Sequence, residues 1–173
     1  MNIFVLDRSP IQSAQMLCDA HVVKMIVESC QLLSTHARIE ERFRDSSGLY
    51  KVTHMNHPCR LALYNPYTEL WLITHLWALL TEYNFRFGKV HKTAEVYSPH
   101  WHSATVPIFA KRDDLIDMCA MPKCMPDEFK IGGDDIDSVV RSYRNYYKHK
   151  QNTMKYFRYT KREMPDWLKG NNL

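Results

Sequence analysis

No run of apolar residues in this 173-residue chain approaches the length of a membrane span. The opening, MNIFVLDRSP, lacks a basic stretch ahead of an apolar one, so no signal peptide is expected and a cytoplasmic location is. A glycine-rich phosphate loop, a serine nucleophile elbow and a dinucleotide-binding fingerprint are all missing, which argues against kinase, NTPase and dehydrogenase chemistry. The five cysteines, Cys18, Cys30, Cys59, Cys119 and Cys124, cannot all pair within one chain, and reduced thiols are expected. There is no internal repeat and no low-complexity segment.

What is present suits one soluble domain over residues 1–173: 45% of residues are hydrophobic and 24% charged, and the length suffices for a single core. The net charge of +4 is unevenly spread. From Ser138 onward there are nine Lys/Arg and two Asp/Glu, against 14 and 17 in the remainder. A positive end suits an anionic partner such as nucleic acid, although a solvated basic helix has the same composition.

Local signals predict a mainly α fold, a compact helical bundle with a short extended N-terminal segment and an irregular middle. Residues 2–6 read as a strand or buried arm. Ser9-Pro10 opens a first helix reaching about Cys18, with serine as N-cap and proline at the first position. Asp19 can cap a second, running to about Arg38 and extended by the charged stretch 40–44. Asn65-Pro66 starts a long helix that ends near Gly88. Residues 92–134 read as a loop-rich insert, and 135–173 as a basic, aromatic helix and tail capped by Asp134 or Asp135.

The second helix carries a polar stripe on an otherwise apolar body. His21, Lys24, Glu28 and Gln31 recur at three, four and three. An ordinary solvated Lys24–Glu28 pair would be worth only a few tenths of a kcal/mol. A narrow stripe between large apolar flanks can instead line a cleft, where desolvation shifts pKa values. The long helix repeats the pattern in His75, Glu82 and Arg86, with Lys89 a turn on and His91 beyond it. The two stripes are expected to face each other, as a buried ionic network or as the wall of an active site. For Glu82–Arg86 a structural salt bridge is favoured; for His75 either role stays open. His57-Pro58 reads as a capping or site residue. His54, His57 and Cys59, or His100 with His102, are candidate metal ligands, but none has a familiar zinc spacing and no metal or other cofactor is expected. In the C-terminal segment, Tyr143, Tyr147 and Met154 form a core-facing stripe, while Arg141, Arg144, Lys148, Lys155 and Arg158 are left to bind nucleic acid.

The pieces MNIF, SAQMLCDAHVVKMIVESCQLL, NHP and ALLTEYNFRFGKVHK, in that order over residues 1–91, resemble the phage and bacterial relatives of pyrimidine dimer DNA glycosylases. The shared pattern falls on Asp19, His21, Lys24, Glu28, Gln31, His57, Glu82 and Arg86. The resemblance implies a helical domain that cleaves an N-glycosidic bond in DNA, with an N-terminal amine attacking the sugar C1′ to form a Schiff base, helped by a carboxylate, here Glu28. Position 2 is Asn2, whose bulk is expected to hinder removal of Met1. His21 stands where an arginine is usual, and the tryptophan usual after His-Pro is absent.

The expected function is therefore a phage-type DNA glycosylase acting on a damaged or modified base flipped into a cleft between the striped helices. Glu28, Lys24, His21, His57 and His75 form the expected catalytic set. Arg86, Glu82, Gln31, His91 and Lys89 are assigned to substrate binding. The alternatives are a non-catalytic nucleic-acid or protein-binding module and an enzyme of free nucleotides. The partner is thus DNA or a nucleotide, with no membrane.

Overall fold

The fold is built on two long helices whose ends are written locally in the sequence. In the computed structural model, which describes residues 1–101 and 113–170, α4 (Pro66–Phe87) starts where the Asn65 side chain accepts from the Tyr67 and Thr68 amides. It ends at Gly88, whose φ of 65° is a left-handed cap that a β-carbon would disfavour. Helix α2 (Asp19–Ile39) lies against it, and short α1 (Pro10–Gln15), capped by Ser9, packs on the same helix. α2 stops at Ile39 instead of continuing through 40–44, because Glu41 turns left-handed (φ 50°) and Arg42 folds back to Glu69 of α4.

Four smaller helices complete the described set. α3 (Pro58–Leu61) is capped by His57 and continues into a 3-10 turn. α5 (Ala94–Trp101) lies in the stretch expected to be loop; Tyr97 and Trp101, one turn apart and both buried, anchor it despite Pro99 in its last turn. α6 (Ile136–Thr153) is capped by Asp135, whose carboxylate accepts from the Ser138 amide at 2.9 Å. α7 (Asp166–Lys169) closes the described chain. Among the described residues there is no strand, and no helix is long and apolar enough to cross a membrane.

Residues 1–6 form an arm buried in the core without a strand partner. Ile3, Phe4, Val5 and Leu6 are all buried, and the Ser13 hydroxyl both donates to the Phe4 carbonyl (3.0 Å) and accepts from the Leu6 amide (2.9 Å). Burying such side chains is worth about 2 kcal/mol each, against about 1.5 kcal/mol per residue to order the backbone. The margin is small, so the arm's polar anchors decide where it lies.

The strongest of the buried polar assemblies centres on Arg86. Its guanidinium, with no exposed side-chain surface, donates to Glu82 (2.7 Å), Asp19 (2.9 Å), the Leu17 carbonyl (2.8 Å) and the Gln15 carbonyl (3.0 Å). Glu82 also accepts both arms of Arg162, and Asp19 accepts from Thr160, so the C-terminal tail is tied to α2 and α4. Removing one member of a buried charge network strands the others. Arg86→Met is therefore expected to cost about 3–5 kcal/mol of folding stability, and urea unfolding followed by circular dichroism measures it.

Candidate functional site

The stripe on α2 does not meet the one on α4. Arg86 is drawn to the α1–α2 junction by the carbonyls there, and Glu82 follows it. His75 is fully buried against α1, with Nδ1 on the Pro10 carbonyl at 2.8 Å and its ring stacked on Trp71 at 4.7 Å. A carbonyl only accepts, so Nδ1 carries the proton. His91 caps the Thr93 amide and lies edge-on to Tyr83, and Lys89 is exposed beyond the helix end. Thus His75, Glu82, Arg86, Lys89 and His91 are not brought to Glu28, contrary to the expected facing stripes. His75, Glu82 and Arg86 bond within the core, His91 caps a turn, and Lys89 is exposed.

What faces the α2 stripe is the N-terminal arm. Glu28, with 15% of its side chain exposed, accepts the backbone N–H of Asn2 through Oε2 at 2.9 Å, while Oε1 lies 3.4 Å from the exposed Lys24 ammonium. The Asn2 side chain accepts from the Ile3 amide (2.8 Å) and donates to the Cys124 carbonyl (2.8 Å), so residue 2 is held from three sides. Two turns earlier, His21 is buried, 2.9 Å from the Tyr147 hydroxyl and stacked on Phe4 at 4.6 Å. Gln31 is half-buried one turn past Glu28. At the Glu28 end stands His57. It caps α3 by accepting from the Cys59 amide (3.1 Å), and it lies near the charged amine of the chain's first residue.

Burial, reinforced by the positive charges of Lys24 and Lys150, pushes the His21 pKa down to about 4. His75 is likewise pushed down to about 4 by burial, with its Pro10 hydrogen bond opposing. Asp19 behaves differently: burial pushes it up, but hydrogen bonds from Thr160 and Arg86 outweigh that and leave it below the usual carboxylate range. His57 is lowered by burial and by the nearby chain terminus.

Helix α6 adds Tyr146, His149 and Lys150, which sequence spacing did not single out. His21, Phe4, Tyr146 and His149 form a column of near-parallel rings, with successive centroids 4.6, 6.0 and 6.5 Å apart, running from the core to the exposed His149. The Lys150 ammonium lies 4.8 Å over Tyr146. The cations expected to bind nucleic acid fall elsewhere. Arg144 is a structural clasp, bonded to the Leu6 carbonyl (2.8 Å) and Asp7 (3.2 Å) and lying over Trp167. Arg141 and Lys148 share its side of the helix, opposite Tyr146 and Lys150. Lys155 and Arg158 are exposed and flank the exposed Tyr156. Tyr143 and Tyr147 are fully buried, as their spacing predicts, and Met154 is packed against the core. His100 bonds the Val96 carbonyl within α5, and His102 lies outside the described residues.

A family model described as pyrimidine dimer DNA glycosylase matches residues 1–96, more than half of the chain. That span contains the arm, α1, α2, α3 and α4, and ends as α5 begins. No curated protein and no solved structure matches the chain at a significant level.

The two neutral histidines make stability depend on pH. Each has a folded pKa near 4 against an ordinary value of 6.5. Between these values the unfolded chain binds more protons, so their contribution is full above pH 6.5 and is lost as pH falls toward 4. Each can cost up to about 3 kcal/mol. Denaturation midpoints from pH 7 to pH 4.5 are expected to fall steeply for wild type and less steeply for His75→Leu, whatever that variant's starting stability.

Proposed function

The chain belongs to the pyrimidine dimer DNA glycosylase family, and we propose that it cleaves the N-glycosidic bond of a damaged base in DNA at the Glu28–Asn2 pair. The observation that carries this reading is the 2.9 Å bond between the Glu28 carboxylate and the backbone nitrogen of residue 2. In the intact chain that nitrogen is an amide and only donates. The chain's own primary amine is that of Met1, one residue before this nitrogen and close enough to His57 for its charge to act there. Were Met1 removed despite the bulk of Asn2, the residue-2 nitrogen would itself become a primary amine seated on Glu28. The amine would then attack C1′ of the damaged nucleotide: the new C1′–N bond forms as the glycosidic bond breaks, and the base leaves with the bonding electrons. Glu28 would stabilise the positive charge that develops on the sugar.

The surroundings support a nucleic-acid substrate. Lys24, Lys150 and His57 place cations or donors along the stripe, where they can hold phosphates. Tyr146 and His149 continue a stack of rings toward solvent, the kind of surface on which an unpaired base packs. Lys24 offers a second amine within 3.4 Å of the same carboxylate, and it is the competing nucleophile.

Borohydride trapping on ultraviolet-irradiated duplex DNA separates these roles. A covalent adduct that maps by peptide mass to the N-terminal peptide and persists in Lys24→Met is expected. Glu28→Gln is expected to lower single-turnover cleavage by about 100-fold or more. Equal cleavage by Glu28→Gln, or no cleavage by wild type across a broad lesion panel, would remove the proposal. An adduct on Lys24 would transfer the nucleophile's role to that side chain.

A further inference from the structure

Beside the Glu28–Asn2 pair lies a cluster whose two cysteines the glycosylase chemistry does not use. One ring nitrogen of His57 and the sulfurs of Cys59 and Cys124 all lie within 4.8 Å of one another, and the two sulfurs are 3.4 Å apart. We propose that His57, Cys59 and Cys124 bind a zinc-class metal ion. Their donors, two thiolates and an imidazole, are the borderline-soft set that such ions select. A metal ion is also the natural counter-charge for two adjacent thiols, because it supplies the positive charge that lets both ionise.

The spacing of the sulfurs separates this from a disulfide. A disulfide needs about 2.05 Å between sulfurs, whereas two thiolates on a tetrahedral ion with bonds of about 2.3 Å sit about 3.8 Å apart. The observed 3.4 Å is much nearer the second value. The ligands are also carried by built elements. Cys59 lies in the first turn of α3, two residues after its cap His57. The segment bearing Cys124 is fixed by the Tyr143 hydroxyl, which donates to the Pro122 carbonyl at 2.9 Å and accepts from the Cys124 amide at 3.3 Å. Cys59 is buried, while His57 and Cys124 are half-buried, which leaves the ion a way in from solvent.

Binding would release one proton from each thiol to solvent and form two metal–sulfur bonds and one metal–nitrogen bond. The imidazole would give up its hydrogen bond from the Cys59 amide, because ion binding at either ring nitrogen leaves Nδ1 without a lone pair to accept it. Three protein ligands leave one position for solvent. The ion would thereby lock the segment around Cys124 to α3, and the Cys124 carbonyl is the acceptor for the Asn2 side chain. It would act on residue 2 as a positioning element. The inference does not depend on Glu28 acting on DNA.

The test is cobalt and zinc binding by the full chain, reduced with a phosphine, stripped with a chelator and kept anaerobic. Wild type is expected to take one cobalt ion per chain, with thiolate-to-cobalt absorption and tetrahedral visible bands that zinc displaces. Cys124→Ser is expected to weaken binding more than about tenfold and to diminish the thiolate band. Cys119→Ser, at a half-buried cysteine outside the cluster, is expected to leave both unchanged. Absence of a stoichiometric cobalt spectrum in reduced wild type overturns the proposal, and this outcome needs no variant to fold. A spectrum that survives intact in Cys124→Ser overturns it too. So does a reduced protein that binds no ion but loses two mass units in air as Cys59 and Cys124 join.

Discussion

The buried Arg86 guanidinium ties α4 to the start of α2, the helix that carries the candidate site. It is a planar fork with five donors and no exposed side-chain surface, and it reaches two carboxylates and two backbone carbonyls on three separate segments. Those carbonyls are of Gln15, the last residue of α1, and of Leu17, in the turn before α2. Asp19 is the first residue of α2 itself. Fixing that end fixes the azimuth of a long straight helix, and with it the direction in which His21, Lys24 and Glu28 point. The Tyr159 ring lies over the guanidinium at 5.6 Å, and Arg162 shares Glu82, so the tail closes the assembly from outside. A charge this deep is tolerable only because its partners are complete.

Two glutamates with the same sequence signature, each in an i,i+4 pair on an apolar helix, therefore have opposite chemistry. Glu82 is 3% exposed and accepts from Arg86 and, through both oxygens, from Arg162. Its lone pairs are committed to cations that do not leave. Glu28 holds one backbone N–H and a lysine at 3.4 Å whose own side chain is 61% exposed. Such a loose, solvated pair contributes little to stability, and the lysine can exchange its carboxylate for a phosphate. Of the two glutamates, Glu28 is the less committed to the fold, and the proposed reaction draws on that spare capacity.

Legibility in the sequence followed the range of each interaction. Ser9-Pro10, Asn65-Pro66, Gly88 and Asp135 are local signals, and each marks a helix end where it was read. The stripe on α2 is likewise local, and it does line one surface with the arm. The partners across that surface are not local: Asn2 meets Glu28 across 26 positions, Tyr147 meets His21 across 126, and Cys124 meets Cys59 across 65. Two similar stripes suggested that they face each other. What decided otherwise was Arg86's set of carbonyl partners, which no side-chain pattern records. Arg144 is engaged by equally distant partners, since its acceptors are the Leu6 carbonyl in the arm and the Asp7 carboxylate directly after it. Helix α5 was hidden by Pro99, because burial of Tyr97 and Trp101 outweighs a local propensity.

His21 shows how a residue that looked chemical can serve the site by staying inert. Phe4 has φ near 54°, a left-handed conformation that a residue with a bulky side chain adopts only under tertiary constraint. The constraint is its ring, held between His21 at 4.6 Å and Tyr146 at 6.0 Å. The kink turns the chain so that Asn2, two residues earlier, lies along α2 with its amide on Glu28. An imidazolium at position 21 would be a charge buried beside Lys24 and Lys150, and burial together with those two cations keeps the ring neutral. Neutral, it can face Phe4 on one side and the Tyr147 hydroxyl on the other. The path from sequence to site thus runs from a silent histidine to a strained phenylalanine to the backbone nitrogen of residue 2, and only there reaches the carboxylate.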